Sequence, residues 1–510
     1  MIQSAQNWLS KTHPFLLVIL IALFSLSVRV VIGPHFIDDA YITFRYARNL
    51  AQGAGFVYNE GERVLGTSTP LLTVLLALAD RLGLGILAAA FGIGVLCDTV
   101  AVFVLWCLGR FLSANRVGLG AASVYAVSPF SVIAAVSGME TSLYTLSLLL
   151  TFSLFIGTKR SWWVIPAAMA TLIRPEGGLV LIAAFVASAL NNRRMPWCEL
   201  AIGIALVFPW FLFATLYFGS PIPNTVVAKT IVYPSNAFPL QNLFDILRQL
   251  SNLVNGAQVS LLWSGIYFSA SAVGIEEAIH RNKAMMVLLG WMLLDIAFFA
   301  VPNRFLFPWY MVPAMPLFLF FACLGIEKSS RVLLNRLTLG TTRMMFQLMS
   351  YLTIAIIWTL MFFATFATVR AYDDEFAHRE FVYACLGQQL DAHSPGLTIS
   401  SAEIGALGYH YPGKILDLAG LISPIVLPYY SSPDYQFRSS FSVPSELIRV
   451  TLPPVIVVFD SMIPFLNEAW FRSEYYLHTN YPRLHHFGSL LVFVRRDVSL
   501  GNAPINCLDH

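Results

Sequence analysis

Runs of about 20 apolar residues, the length an α-helix needs to cross a bilayer, dominate the chain. They fall near 14–33, 86–109, 117–136, 141–157, 197–217, 257–275, 284–301, 307–326 and 345–368. In hydrocarbon the backbone must satisfy its own hydrogen bonds, so each run reads as a helix and the chain as a polytopic α-helical membrane protein. Composition agrees, with 57% of the 510 residues hydrophobic and 12% charged, against about 25% charged in a soluble domain. The formal net charge of +3 is spread over many loops. It offers no clustered basic face for nucleic acid.

One apolar stretch, 162–190, is interrupted by Arg174, Pro175, Glu176, Gly177 and Gly178. This predicts two short helices with a break, tolerated at membrane depth only where backbone is buried in protein or lines a cavity. Counting it as two gives about eleven crossings. Arg110 with Arg116, Lys159 with Arg160, Arg193 with Arg194, Arg281 with Lys283, and Lys328 with Arg331 and Arg336 then share one side with Lys11, the cytoplasmic side by the positive-inside rule. The opposite, outer side receives Asp38 and Asp39, the turn at 137–140, the loop at 219–249, the turn at 302–308 and everything after Arg370. The first span lacks a small-residue cleavage site before the carboxylates and reads as a retained helix. Residues 69–87 carry Asp80 and Arg81 and would invert all later loops if they crossed, so they read as a helix lying at the outer surface.

After Arg370 the pattern changes to short β-type runs at 397–400, 414–418, 455–459 and 490–494, broken by Pro, Gly and Ser. The expected organisation is a membrane domain over 1–369, with a large outer loop at 34–85 carrying juxtamembrane helices, and an α/β domain over 370–510. Of six cysteines, Cys97, Cys107, Cys198 and Cys323 lie in or beside apolar spans, where thiols act as small hydrophobes. Cys385 and Cys507 are too far apart in sequence for a short metal-binding spacing. They could form a disulfide if the tail lies in an oxidising compartment.

The chemistry-bearing residues gather on the outer side. Asp38 and Asp39, where the first span ends, could supply a general base or hold a divalent cation through carboxylate oxygens; one of them could equally cap the helix beginning near Ala40. Glu140 opens the span after the second outer turn, either as a second acid or as an ordinary first-turn acid. Arg174 and Glu176 could pair with each other or present a cation to a phosphate. Lys229 and Arg304 are outer cations against the positive-inside pattern, and Trp309 and Tyr310 suit an interface belt or a sugar-stacking platform. Tyr41 and Arg45 sit in the polar, aromatic and cationic run after the Asp pair. In the tail, Glu403 and Asp417 follow β-type runs, where acids often project into loop-built sites.

The run Asp38-Asp39-Ala-Tyr41-Ile-Thr-Phe-Arg45-Tyr-Ala-Arg48-Asn-Leu, followed by Gly53, Gly55, Tyr58, Asn59, Gly61, Glu62, Arg63 and Gly66-Thr67-Ser68-Thr69-Pro70-Leu71, resembles the GT-C superfamily of integral-membrane glycosyltransferases, nearest its AftB-like arabinofuranosyltransferase branch. The turn at 137–141, the Arg174-Pro-Glu-Gly break, the Pro223-Asn224-Thr225 loop, Glu403 and the Asp417-Leu-Ala-Gly-Leu segment are also similar. The resemblance implies a GT-C-type membrane core of about eleven helices with an extracytoplasmic α/β tail. It implies a polyprenyl-phosphate-linked sugar donor, a glycan or glycoconjugate acceptor and surrounding membrane lipid. The setting implied is a bacterial cytoplasmic membrane, with site and tail facing the periplasm or exterior. Asp38 or Asp39, with Glu140, would act on the acceptor hydroxyl, and Asp38 is also a candidate metal ligand. Arg174, Lys229 and Arg304 would hold the donor phosphate, and Tyr41, Arg45, Trp309, Tyr310 and Glu403 would contact substrate. A transporter or flippase of a lipid-linked sugar is the competing reading, but it needs access to both faces, whereas these charges gather on one.

Overall fold

Apolar sequence and its interruptions set the order of the membrane helices. The structure, a computed structural model, describes residues 14–158, 161–233, 239–255, 261–301, 306–336, 356, 358–371, 377–431, 441–500 and 507. The helices are α1 (Pro14–Ile32), α2 (Asp38–Gln52), α3 (Pro70–Arg81), α4 (Ile86–Phe111), α5 (Asn115–Ala126), α6 (Pro129–Val136), α7 (Thr141–Gly157), α8 (Val164–Ile173), α9 (Gly178–Asn192), α10 (Trp197–Phe218), α11 (Asn224–Val232), α12 (Pro239–Asn255), α13 (Leu261–Arg281), α14 (Met285–Ala300) and α15 (Met315–Arg336). Half of the expected last span, 345–368, lies outside the described residues, while 358–371 are helical.

Among the described residues four helices are long and apolar enough to cross a bilayer, or five with one bent pair, fewer than the eleven expected. Part of the shortfall reflects expected span that lies outside the described residues, and part has local causes. The 117–136 run, expected as one crossing, is α5 and α6 bent by 61°, with Pro129 at the first turn of α6 where its missing N–H costs nothing. Helices α7 and α14 are apolar but short. Residues 69–87, expected to lie at the outer surface and not among the eleven crossings, yield the 12-residue α3, about 18 Å long and too short to span. Its Leu72, Thr73, Leu76 and Ala77 are buried while Val74 and Leu78 are exposed.

A buried polar node holds the bend. Arg29 of α1 donates through Nε to Asp98 Oδ2 on α4 (2.7 Å), and through its other nitrogens to Ser25 O, Ala126 O and Ser131 Oγ. Tyr125 donates to the other Asp98 oxygen at 2.6 Å. With both charges fully buried and hydrogen-bonded, the pair meets the condition under which an ion pair is tolerated away from water. Helices α13 and α15 approach backbone to backbone. A Cβ on Gly274 would lie 1.8 Å from Phe321 O, and one on Gly325 1.9 Å from Ala270 O, the close contact that small residues allow in membrane bundles.

Beyond residue 377 lies α16 (His378–His393), then a five-stranded sheet in the order β2-β1-β3-β5-β4. Strands β1 (Ile399–Ser401), β2 (Ile415–Asp417) and β3 (Val455–Phe459) are parallel; β5 (Gly488–Arg495) runs antiparallel to β3 and to β4 (Tyr475–His485). The β1–β2 crossover carries the short helix α17 (Gly405–His410). Cys385 and Cys507 form a disulfide.

The sheet's apolar core does not end at the tail. Ile42, Tyr46, Phe56, Tyr58 and Leu65 from the first loop belong to the same buried cluster as Leu407, Ile415 and Val457. Hydrogen bonds reinforce this docking. Tyr58 donates to Ile404 O at 2.5 Å, Arg48 to Tyr409 O at 2.5 Å, and Asn59 both donates to Ile415 O and accepts from Ile415 N–H. Asn224, which opens α11, donates to Gly420 O and Leu421 O at 2.7 and 2.9 Å.

Candidate active site

A cavity of about 150 Å³ lies where the first loop, the membrane helices and one tail loop meet. Its acidic wall begins with Asp39, the second residue of α2. Glu140, at the start of α7, adds a second carboxylate. The cationic wall is Arg174 and Lys229, with Trp309, Tyr310, Phe307, Phe298 and Phe299 around them. Thr43, Thr67, Ser68, Thr69 and Thr225 give hydroxyls, and Leu421 is the tail's contribution.

The break after α8 is what delivers Arg174. Proline at 175 disfavours helical backbone in the residue before it, and Arg174 is extended at φ −145°, ψ 145°. A one-turn helix, Pro175–Gly177, follows. A Cβ on Gly177 would sit 2.0 Å from Ala170 O, so the turn folds tightly against the end of α8. Arg174 Nε lies 2.7 Å from Glu176 and 3.7 Å from Glu140, and the guanidinium faces the rings of Tyr144 and Tyr310. Its Nη1 is buried with no hydrogen-bond partner among the described residues. An unused guanidinium donor at a cavity wall is costly unless a ligand accepts from it.

Lys229 Nζ is 3.4 Å from Asp39 Oδ2 and 4.6 Å from the Phe307 ring centroid. Burial alone would lower its pKa, but the Asp39 carboxylate and the Tyr310 hydroxyl together outweigh this and hold the ammonium above its ordinary value. Thr43, Thr67 and Thr69 hydroxyls stand 3.1 to 3.2 Å from one another. Thr225 donates to Gly66 O, fixing α11 against the same loop.

The remaining expected residues divide by surroundings. Asp38 turns away from the cavity, and its carboxylate accepts from Gly405 N–H and Ala406 N–H, both at 2.9 Å. Among the described residues, no group of three or more His, Cys, Asp or Glu side chains is arranged to hold a metal ion. Tyr41 packs edge-on against Phe36 and Phe44 and tilts over Tyr409. Arg45 is spent on main-chain carbonyls. Glu403 pairs with Arg379 at 3.2 Å, while Asp417 accepts from Ala419 and Ile422 N–H and so shapes the loop that carries Leu421. Arg304 lies outside the described residues.

Sequence reading does not single out the Thr hydroxyls, although they stand in the quoted Gly66-to-Leu71 run. Nor does it single out Asp295, a buried acid inside α14 close enough to influence Glu176 and Arg174. An acid within an apolar helix is a signal in its own right.

No family model matches the chain. Over 218 residues it is 29% identical to the terminal β-(1→2)-arabinofuranosyltransferase of Mycobacterium tuberculosis, a match covering 38% of this chain and 34% of that protein. The chain thus spans about a third of the length of the curated relative it matches. Its structure superposes on ArnT from Cupriavidus metallidurans with a TM-score of 0.60 at 13% identity, covering 96% of this chain and 98% of that one. ArnT has been solved both in the apo state and bound to undecaprenyl phosphate. The arabinofuranosyltransferase AftD from Mycobacteria superposes with a TM-score of 0.53 at 15% identity, covering 94% of this chain and 40% of that one. By its fold, then, this multi-pass membrane chain is similar to ArnT and to the arabinofuranosyltransferase AftD, and over 218 residues its sequence is similar to a terminal arabinofuranosyltransferase.

Proposed function

We propose that the chain transfers a sugar, arabinofuranose being the first candidate, from a polyprenyl-phosphate donor to a glycan or glycoconjugate acceptor. The observation that carries this reading is one cavity that holds Asp39 against Lys229, with Arg174 Nη1, unpartnered among the described residues, in its wall. A lipid-linked donor keeps its chain in the bilayer, so its phosphate needs cations at the membrane boundary. Lys229 and Arg174 supply them and stabilise the phosphate as it leaves. A phosphate arriving at Lys229 competes with Asp39 for the ammonium, leaving the carboxylate to accept the proton of the attacking hydroxyl. Glu176, at 2.7 Å, and Glu140, at 3.7 Å, orient Arg174 from within the same cavity wall. The Thr hydroxyls and the faces of Trp309 and Tyr310 suit a sugar, which offers hydroxyls at its edge and C–H groups on its face. Undecaprenyl phosphate bound to ArnT supports the same class of donor.

The facing assigned to the site is outward. The disulfide between Cys385 and Cys507 favours an oxidising compartment for the tail, and the basic loops of the sequence favour a cytoplasmic location for the opposite ends.

The test is incubation of purified protein with a panel of polyprenyl-phosphate sugars and glycan acceptors, with and without chelator, following release of polyprenyl phosphate. Asp39→Asn is expected to lower turnover by at least about 100-fold, the scale of a lost general base. Full transfer by that variant would overturn the assignment.

A further inference from the structure

Asp38 and Asp39 are consecutive, yet only Asp39 lines the cavity. Successive residues at a helix start project about 100° apart, so fixing one side chain fixes the direction of the next. Asp38 is fixed thoroughly. Its two carboxylate oxygens accept the Gly405 and Ala406 N–H groups, and its own N–H donates to Glu380 Oε1 at 3.2 Å. Arg379 braces this arrangement by pairing with Glu380 at 2.5 Å and Glu403 at 3.2 Å. The approach is so close that a Cβ on Gly405 would lie 1.8 Å from Asp38 O. From the other side, His35 N–H and Ile37 N–H donate to Val136 O and Ser137 O, setting the path of the chain into α2.

None of Asp38, Arg379, Glu380, Glu403 or Gly405 lines the cavity. We infer that Asp38 is a positioning residue: the tail segment around Gly405 grips it, and that grip sets the Asp39 carboxylate at Lys229. This rests on the reading of Asp39 as the base. The tail then serves the reaction through α2, from 367 positions away in sequence, in addition to lending Leu421 to the cavity wall.

The experiment compares wild type, Asp38→Asn, Gly405→Ala and Asp39→Asn in the full chain, using polyprenyl-phosphate arabinofuranose as donor probe. It reads kcat, donor KM, the pH profile of kcat/KM, and hydrogen exchange at the amides of residues 405 and 406. Asp38→Asn keeps the side chain's shape but sets an amide NH2 against one backbone N–H. Exchange at both amides is expected to rise and kcat to fall roughly 10- to 100-fold, the cost of about 1 Å of misplacement. Donor KM should change by no more than about twofold, as for an interaction that matters only in the transition state. The acidic limb of the pH profile should stay where it is. Gly405→Ala should lower kcat without altering any titratable group; should it fail to fold, Asp38→Asn carries the test alone.

Wild-type kcat in Asp38→Asn, or unchanged exchange at residues 405 and 406, would overturn the positioning role. So would loss of the acidic limb in Asp38→Asn, which would make Asp38 the proton acceptor itself. A wild-type protein that turns over no lipid-linked sugar would overturn the transferase reading and the positioning role with it, and is told apart by the inactivity of the unmutated chain.

Discussion

Arg45 shows where an expected substrate contact goes when the tail is folded. It donates through Nε to Tyr58 O at 2.8 Å, through Nη1 to Gly408 O and Tyr411 O at 2.6 and 3.0 Å, and through Nη2 to Gly413 O at 2.7 Å, with its plane over the Tyr58 ring. Lysine offers one point charge with three rotatable donors and cannot reproduce that fork. Arg45→Lys is therefore expected to destabilise the docking of tail to first loop by about 2 to 4 kcal/mol, the worth of one or two lost charge-assisted hydrogen bonds. Thermal unfolding, with hydrogen exchange at residues 408–413, measures it. The same residue explains how far the site could be read in advance. Asp39, Glu140, Arg174, Lys229, Trp309 and Tyr310 are recognisable as charges or aromatics beside apolar spans, and all six line the cavity. Asp38, Tyr41, Arg45 and Glu403 look no different in sequence, because spacing does not reveal that backbone groups of the tail will claim Asp38 and Arg45, aromatic rings Tyr41, and Arg379 Glu403. Asp295 was passed over although an acid within an apolar helix is a signal, and the Thr hydroxyls were hidden by the commonness of threonine.

At the scale of elements, interruptions were more legible than lengths. Arg174-Pro175-Glu176-Gly177 announces the break between α8 and α9, since proline and the residue before it both resist helix. The bend at Pro129 was harder to anticipate, because proline at a helix start is compatible with a continuous apolar run and the Arg29–Asp98 node that holds it joins α1 to α4. In the tail, the four apolar runs expected as strands correspond to β1, β2, β3 and β5. Strand β4 was missed. Its sequence, Tyr-Tyr-Leu-His-Thr-Asn-Tyr-Pro-Arg-Leu-His, is polar, contains Pro482 and bulges twice against β5, all permitted at a sheet edge. The Cys385–Cys507 disulfide ties α16 to the end of the chain across a separation of 122 residues. Cys385→Ser with Cys507→Ser is expected to cost about 2 to 4 kcal/mol of tail stability. Reductant should have the same effect on wild type and none on the double variant, as followed by the unfolding temperature.

For the whole molecule, the grip of tail on membrane core is tied to pH through acids at their junction. Burial pushes Glu380 up to about 7, with Glu403 adding to the shift and Arg379 opposing it. Asp38 is likewise held well above the ordinary carboxylate range, by burial first and then by Glu380 and Glu403, against Arg379 and the Ala406 N–H. Burial also raises Asp417, to about 7, although backbone N–H groups favour its charged form. All three shifts have the same sign. The folded chain keeps protons that the unfolded chain releases, so the stability of the junction falls as pH rises. For Glu380 the fall begins near its ordinary value of 4.5 and is complete above about 7. Across that window wild type should unfold at progressively lower temperature, and amides at residues 405 and 406 should exchange faster than chemical exchange alone predicts. Glu380→Gln keeps a neutral acceptor for the Asp38 N–H and removes one titration, so its stability should decline less steeply over the same range, with Asp38 and Asp417 supplying the remaining slope. An identical slope in Glu380→Gln would show that this carboxyl does not govern the junction. A shallower slope would place one pH-dependent element of tail docking at the contact that also holds Asp38.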